Sequence, residues 1–558
     1  MFLQIKSKWY IKSPLIVNGR FNYRPFTLQN KQKYIGGSMS FTPNRLDEIG
    51  RGDYKGRGAF GLSAILKGRT PEGSENFFDL DELQKLQDIA IESRMPIKNN
   101  AYYLKQSVMK SVPIKNLISP QEDEMLDLEG EIDPGNQKKY MPVAGLLHKY
   151  PEIVLLYASP TCSGHCRYCY RLDLFTGKSG KEYAKIEPII EYIKNTNKEV
   201  DEYNDSVGYD PEKRKFRITE ALLSGGDPMV LANKQLYTFM CGLAEAGVQT
   251  IRIGTKELAF FPYRFDEDFF KMLDIFHEEY EDVKVDFMVH FTHPDEFLDI
   301  KGTENTDGTF TTEVAHDVLN LRSRYNKRPN GTLQWRPETE KAVTTLLSRN
   351  WINLYNQCPI IRGVNDHSPA LNVMQRALHH KGVHNHYFFQ CREIEGHKAF
   401  AVPVEKAYDI FNEAQKGLSG TERTRFAMST EWGKMEIVGR FNFASVEKVF
   451  TDEGISPQVN FAIHALRRLF GDKFVIFRIV RSPYNVKTYG RLIVAKSNPE
   501  ALWLSAYEDD IIYDGRKPAE EQSSMIGKVI AGLIEEIDLT SFIRKMANPE
   551  GETKETGE

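Results

Sequence analysis

From about residue 150 the chain alternates short apolar runs with longer amphipathic stretches. EIVLLYA, ITEALLSGG, VQTIRIGT, VKVDFMVHFTH, NWINLYNQCPII and HNHYFFQC read as strands, and the spacers between them carry a helical period. Six strand candidates with helical spacers predict an α/β fold, a parallel βα array rolled into a full or partial barrel. Chemistry in such arrays gathers at the C-terminal strand ends. Those ends carry Cys162, the turn Ser224-Gly225-Gly226-Asp227, Lys256, His293 and Gln390.

The same pattern divides the chain. Residues 1–85 form an N-terminal extension of short strand-like runs with a turn at Asn18-Gly19. Residues 86–140 are a helical lead-in, 141–400 the array, and 401–445 a following segment. Residues 446–558 are a small α+β appendage with a polar tail. A length of 558 residues exceeds what one hydrophobic core sustains, so two or three units are expected.

Charge changes this picture little. With 73 basic against 77 acidic residues, no global field favours nucleic acid or an anionic membrane. No run approaches the roughly 18 apolar residues that a spanning helix needs, so a soluble, cytoplasmic protein is expected. The absence of acidic residues before Asp47 would also suit a transit peptide, but the strand pattern of WYIKSPLIVNGRFNYRPFTL argues for structure there.

Cysteine usage is more informative. Of six cysteines, three lie within eight residues in TCSGHCRYCYR, directly after EIVLLYA. Cys162, Cys166 and Cys169 give C-x3-C-x2-C, three thiolates on one tight loop. That set can ligate three irons of a [4Fe–4S] cubane and leave the fourth iron open. An open iron can be chelated by the amino and carboxylate groups of S-adenosylmethionine (SAM), whose sulfonium one electron then cleaves to a 5′-deoxyadenosyl radical. A zinc site is the competing reading. His165 lies in the loop, but no fourth Cys or His stands at ordinary structural spacing.

The loop resembles the radical SAM superfamily, with Tyr168 at the aromatic position whose side chain packs near the adenine. LLSGGDP resembles the superfamily's glycine turn, so Ser224, Gly225, Gly226 and Asp227 are expected to meet the SAM amino group. Further along, PVAGLLHKYPEIVLL, CSGHCRYCYR, LLSGGDP, IRIGTKE, VHFTHPDEF, YNQCPIIRGVND and YFFQCREIEG resemble, in the same order, the lysine 2,3-aminomutase family. The resemblance spans roughly residues 100–435.

It implies a partial or near-complete (β/α) barrel of the radical SAM type. It also implies three cofactors, a [4Fe–4S] cluster, SAM and pyridoxal phosphate (PLP), which together move an amino group between adjacent carbons of an α-amino acid, lysine or a relative. By the same resemblance Lys434 holds PLP, although the glycine-rich run before it is shortened to Glu431-Trp432-Gly433. Tyr150 packs on the cofactor ring, and Lys149 and Lys256 replace arginines that reach its phosphate, while Ile153 replaces a third. Arg171 pairs with the substrate carboxylate. Of the two aspartates that meet a distant ammonium in lysine-specific members, Asp366 matches one and Ser429 stands at the other. Arg392 replaces a further aspartate and adds positive charge if it faces the pocket. Cys241, Cys358 and Cys391 are expected to be core thiols. A one-electron donor of the flavodoxin or ferredoxin type and a homo-oligomer are implied as partners.

Two other readings use the same cysteines. One is a radical SAM enzyme acting on another amine or on protein-bound lysine, with or without PLP. The other is a noncatalytic iron–sulfur sensor, which has no use for the Gly-Gly-Asp turn.

Overall fold

The computed structural model describes residues 12–17, 20–25, 41–52, 59–61, 95–442 and 471–524, with a few others. Within these spans, residues 122, 127–128, 176–182, 211–212, 307–309, 314–316, 318, 432 and 484–487 lie outside the described residues. So do most of the expected N-terminal extension, Asn18 and Gly19, Trp432, most of the helix expected at LDELQKLQDIAIES, and most of the helices expected in the appendage. The chain divides into two compact units, Met1–Val402 with Lys406–Phe426 and Pro403–Glu405 with Ala427–Glu558. The segment 401–445 is thus split between units.

The first unit holds a seven-stranded run in chain order. Its members are β1 (Leu146–Tyr150), β2 (Ile153–Ser159), β3 (Glu220–Gly225), β4 (Thr250–Thr255), β5 (Lys284–Val289), β6 (Ile352–Pro359) and β7 (His384–Phe389). β1 and β2 are antiparallel, and every later neighbour is parallel. All six runs singled out by their apolar pattern are strands. Among the described residues the sheet ends at β1, so what is observed is an α/β fold with a mixed sheet rather than a closed barrel.

Parallel neighbours need long crossovers. Helices α1 (Ala101–Lys110) and α2 (Val112–Ile118) precede the sheet. α3 (Ile186–Val207), α4 (Asn233–Glu245), α5 (Glu267–Glu279), α6 (Pro337–Leu347) and α7 (Ser368–Lys381) lie between successive strands. Their ends follow local chemistry. Asp266 caps α5 by accepting from Phe269 N at 2.8 Å, with Glu267 and Asp268 in the first turn and His277 in the last, as the helix dipole favours. α7 opens with Pro369 and closes on Gly382 at φ +90°.

The strands are less uniformly apolar than their runs suggest. In β4, Ile251 and Ile253 have no exposure, whereas Arg252 and Gly254 are half-buried. In β6, Leu354 and Cys358 are buried while Asn353, Tyr355 and Gln357 are not. One sheet face is therefore core, and the other carries polar pairs, Arg252–Glu220 at 2.5 Å and Asn353–Asp286 at 2.9 Å. A sheet with one dry face and one half-open polar face leaves room for ligands beside its C-terminal ends.

The second unit is an antiparallel meander. Its strands are β8 (Arg425–Thr430, from Ala427 onward in this unit), β9 (Gly433–Asn442), β10 (Lys473–Arg481), β11 (Leu492–Lys496) and β12 (Ile511–Asp514). Glu405 is 1% exposed yet fully engaged. It accepts from Ser497 Oγ, Asn498 N and Tyr507 Oη and pairs with Arg440 at 2.9 Å.

Two glycines join β3 to the loop after β2. Gly225 has φ +106°, and a Cβ there would meet Ser159 O at 2.5 Å; a Cβ on Gly226 would lie 2.2 Å from Thr161 O. Both contacts are with backbone, which has nowhere to yield. Gly226→Ala is expected to cost about 1–3 kcal/mol by overpacking, whereas Gly247→Ala, at φ +90° with no atom within 4 Å of the new Cβ, pays only the backbone term. Denaturant midpoints of the two variants measure the difference.

Candidate active site

The loop between β2 and the short helix Leu172–Phe175 carries Cys162, Cys166 and Cys169. Segments from before β1 hold it on one side. His165 N donates to Lys98 O at 2.7 Å, and Arg167 N to Leu117 O at 3.0 Å. Lys98 Nζ donates to Thr161 Oγ1 at 2.5 Å. The glycine turn holds the other side, with Gly226 N donating to Ser159 O at 2.7 Å and Asp227 N to Thr161 O at 2.9 Å.

Arg167 sits between two of the cysteines and is 1% exposed. Its Nε and Nη2 donate to the two oxygens of Glu124 at 3.0 and 2.5 Å, and its Nη1 donates to Met95 O at 2.5 Å. The pair is buried at both ends, with side-chain exposures of 0% and 3%. A forked, dry ion pair of this kind keeps its geometry only while both charges are present. The sequence reading passed over Arg167. The available signal was a charged residue lodged between closely spaced ligand candidates, which cannot be solvated if the loop is buried.

Burial pushes the Cys162 thiol well above its usual range, with Asp227 adding to the effect. Burial raises Cys166 to about 12 against the opposing Lys256, and Cys169 to about 11 against the Arg171 backbone N–H and guanidinium. Cys166 and Cys169 both act electrostatically on Cys162, and Cys169 acts on Cys166, so the three share one region. Without a metal these are protonated thiols; a bound cation would hold them as thiolates. Among the described residues no three His, Cys, Asp or Glu side chains gather closely enough to hold a single ion. Sulfurs around one zinc stand roughly 4 Å apart, whereas a cubane takes each thiolate on a different iron. His165 Nδ1 lies 2.8 Å from Pro96 O, so that ring nitrogen is occupied by backbone. The donor set fits an iron–sulfur cluster better than a zinc ion.

A buried polar chain runs beneath the loop. Tyr168 Oη lies 2.9 Å from both His290 Nε2 and Thr292 Oγ1. Lys256 Nζ donates to Thr292 Oγ1 at 3.0 Å and to His290 O at 2.8 Å, and it pairs with Glu296 at 2.6 Å. Tyr103 Oη donates to the same carboxylate at 2.5 Å. Burial, with Lys256 assisting, keeps His290 well below its ordinary pKa and hence neutral. The three ammonium donors of Lys256 are all taken by protein acceptors, so the phosphate contact expected of it is not the use the structure makes of it. Asp227 is occupied as well. Its Oδ1 accepts from Met229 N, and its Oδ2 accepts from Thr255 Oγ1 and Lys256 N at 3.0 and 2.7 Å, tying the ends of β3 and β4 together.

Arg171 differs. It is 3% exposed, its Nη2 donates to Ser224 Oγ at 3.1 Å and its Nε to Tyr170 Oη at 2.9 Å, while Nη1 is buried without a partner. The guanidinium lies 4.8 Å from the centres of the Tyr157 and Tyr170 rings. A buried cation with an orphaned donor and, among the described residues, no carboxylate in ion-pair range is suited to contact an anion.

The other expected residues have contacts of their own, and two of them belong to the second unit. Lys149, on β1, donates to Gly135 O at 3.3 Å, and Tyr150 ends the same strand. Asp366, in the loop after β6, accepts from Gly363 N at 3.0 Å and so closes its own turn. Ser429 and Lys434 belong to the second unit, where they face each other across β8 and β9. Gly433 precedes Lys434 at φ +119°, and a Cβ there would lie 2.0 Å from Arg481 O, so only glycine fits. Cys241, Cys358 and Cys391 are buried, as expected of core thiols.

An Aquifex aeolicus protein named "Putative L-lysine 2,3-aminomutase" is 30% identical over 454 residues, which cover 80% of this chain and 93% of that protein. The chain belongs to the lysine 2,3-aminomutase family. Other members include the L-lysine 2,3-aminomutase of Methanococcus maripaludis, 24% identical over 64% of this chain and 70% of its own length. The glutamate 2,3-aminomutase of Clostridioides difficile is 23% identical over 62% of this chain and 70% of its own length. No family model matches. The family consists of radical SAM isomerases that use a [4Fe–4S] cluster, SAM and PLP. Among the described residues no helix is long and apolar enough to cross a membrane.

Glu124→Gln is expected to destabilise the protein by about 3–5 kcal/mol, because Arg167 is then buried without its counter-charge. Iron retained per chain after anaerobic reconstitution should fall with it. The double variant Glu124→Leu/Arg167→Met should recover most of the stability, and a denaturant titration of all three proteins provides the check.

Proposed function

We propose that the protein catalyses a 1,2-shift of an amino group on a free α-amino acid, as a PLP-dependent radical SAM 2,3-aminomutase. The observation that carries this reading is Arg171, a buried guanidinium two residues beyond the third cysteine whose Nη1 has no partner among the described residues. A sensor or electron carrier has no use for an anion contact there, whereas an amino acid brings a carboxylate.

In this reading Cys162, Cys166 and Cys169 hold the cluster. Ser224, Gly225, Gly226 and Asp227 line the SAM amino group, and Tyr168, held by His290 and Thr292, packs near the adenine. Arg171 fixes the substrate carboxylate, with Ser224 steadying its other arm. Lys434 holds PLP, Tyr150 packs on its ring, and Lys149 approaches its phosphate, while Asp366 and Ser429 belong to the far end of the substrate. PLP supplies a conjugated system through which nitrogen can pass between adjacent carbons. The protein's share is to fix the carboxylate, to exclude water from a radical, and to keep Lys256 and His290 tied into their network and away from the reaction. The parallel strands then form a partial (β/α) barrel. The proposal includes a flavodoxin- or ferredoxin-type electron donor, a reducing cytoplasm to protect an open iron, and a homo-oligomer.

The test is anaerobic reconstitution with iron, sulfide and PLP, followed by borohydride reduction and mass mapping. PLP should be trapped on Lys434 in the wild type and lost in Lys434→Ala, with SAM cleavage abolished only when a cluster cysteine is replaced. SAM cleavage without any trapped PLP would reject the aminomutase reading.

A further inference from the structure

The first unit has a cavity of about 410 Å³ between α7 and the stretch that joins β5 to α6. That size falls within the range of small-molecule pockets, about 300–1,000 Å³. None of its lining residues belongs to the cluster loop, the glycine turn or the expected PLP contacts. Its charged lining is all of one sign. Arg322 and Arg328 come from the β5–α6 stretch and Arg376, His380 and Lys381 from α7, and among the described residues no acidic side chain lines it. Val373, Ala377, Leu333 and Trp335 supply an apolar wall. The last turn of α7 suits cations because of the helix dipole. That accounts for His380 and Lys381, but not for two arginines that reach the same space from another segment.

The carboxylates that meet these cations hold them in place without neutralising them all. Glu340, on α6, takes both Arg328 Nη2 and Lys381 Nζ. Glu422 lies 3.4 Å from His380 Nε2 and 3.5 Å from Arg376 Nε. Arg376 Nη2 donates to Gly417 O at 2.5 Å, while its Nε is buried without a hydrogen bond. Arg328 sits in a tight turn, where Gly331 N donates to its carbonyl at 2.8 Å and its own N donates to Thr332 O at 2.9 Å. Arg322 is exposed and has no ion pair among the described residues; Asp317, the nearest carboxylate in sequence, accepts from Leu319 N and Asn320 Nδ2. Four permanent cations against Glu340 and Glu422 leave two positive charges unmet among the described residues. Arg328, Arg376 and Lys381 are already held, so little freedom is lost when a ligand engages them.

We propose that this cavity binds a small phosphorylated compound, one that presents a phosphate or pyrophosphate group to Arg322, Arg328, Arg376 and Lys381. A phosphate monoester carries about −1.5 to −2 at pH 7, which matches the two unmet charges, whereas a carboxylate brings one. Guanidinium forks pair with two phosphate oxygens at once, and Lys381 adds a point charge beside them.

The experiment is calorimetric titration of the anaerobically reconstituted protein with inorganic pyrophosphate at fixed ionic strength. It compares the wild type with Arg322→Gln, Arg376→Gln and Arg171→Gln, and with Lys327→Gln as a charge control, since Lys327 is exposed in the same stretch but does not line the cavity. One pyrophosphate per chain is expected to bind. Arg322→Gln and Arg376→Gln should each weaken it by about 10-fold or more, with Lys327→Gln and Arg171→Gln unchanged. Arg322→Gln removes no ion pair among the described residues, so its melting temperature should stay that of the wild type. No binding by the wild type overturns the proposal. So does a loss confined to Arg171→Gln, which would put the anion in the active site, or an equal loss in Lys327→Gln and Arg322→Gln, which would mean a diffuse field. A loss in Arg376→Gln alone, together with its melting temperature, also overturns it, and citrate binding as tightly as pyrophosphate overturns the phosphate assignment.

Discussion

The Arg167–Glu124 pair is where the fold and the chemistry of this protein meet. Three cysteine sulfurs can share one cluster only if the backbone between them is held in a single tight course, and a loop of eight residues cannot do this unaided. Arg167 anchors the middle of that course to Glu124 and Met95, while His165 and Thr161 are tied to Pro96 and Lys98. The segment before the sheet therefore acts as the outer wall of the cluster loop. Because the pair is dry, removing one charge costs far more than the pair contributes to stability as a whole, which makes it a device for one geometry rather than for tightness.

The opposite wall is built without side chains. Gly225 and Gly226 bring the β3 turn so near the loop that backbone meets backbone, and Asp227 fastens the turn to β4. Below the loop, Lys256 and Glu296 link Thr292, His290 and Tyr103 in a network whose ammonium donors are all used. Satisfied networks in a low-dielectric interior are stiff, and stiffness matters where a radical has to be generated beside one particular bond. Arg171 stands out against this background because, among the described residues, its Nη1 is buried without a partner.

Much of this was legible in the chain. Six apolar runs became six parallel strands, because a run long enough to cross a sheet and bounded by turns has few other ways to bury itself. Cysteines close together in sequence remain close in space, so three of them could be placed on one loop, and the glycine turn likewise located, since both are local. Contacts between distant segments were not legible. Nothing in the spacing of Arg167 names Glu124, 43 residues away, as its partner, or tells that Lys256 would spend its charge on Glu296. Nor could sequence say that Arg392 packs near the Tyr170 ring, because the direction of a side chain after a strand end depends on the packing of segments far apart in the chain. Sequence by itself determined the strands and the placing of three cysteines on one loop; the tertiary structure decided which charges are paired, because partners such as Arg167 and Glu124 come from segments far apart in the chain.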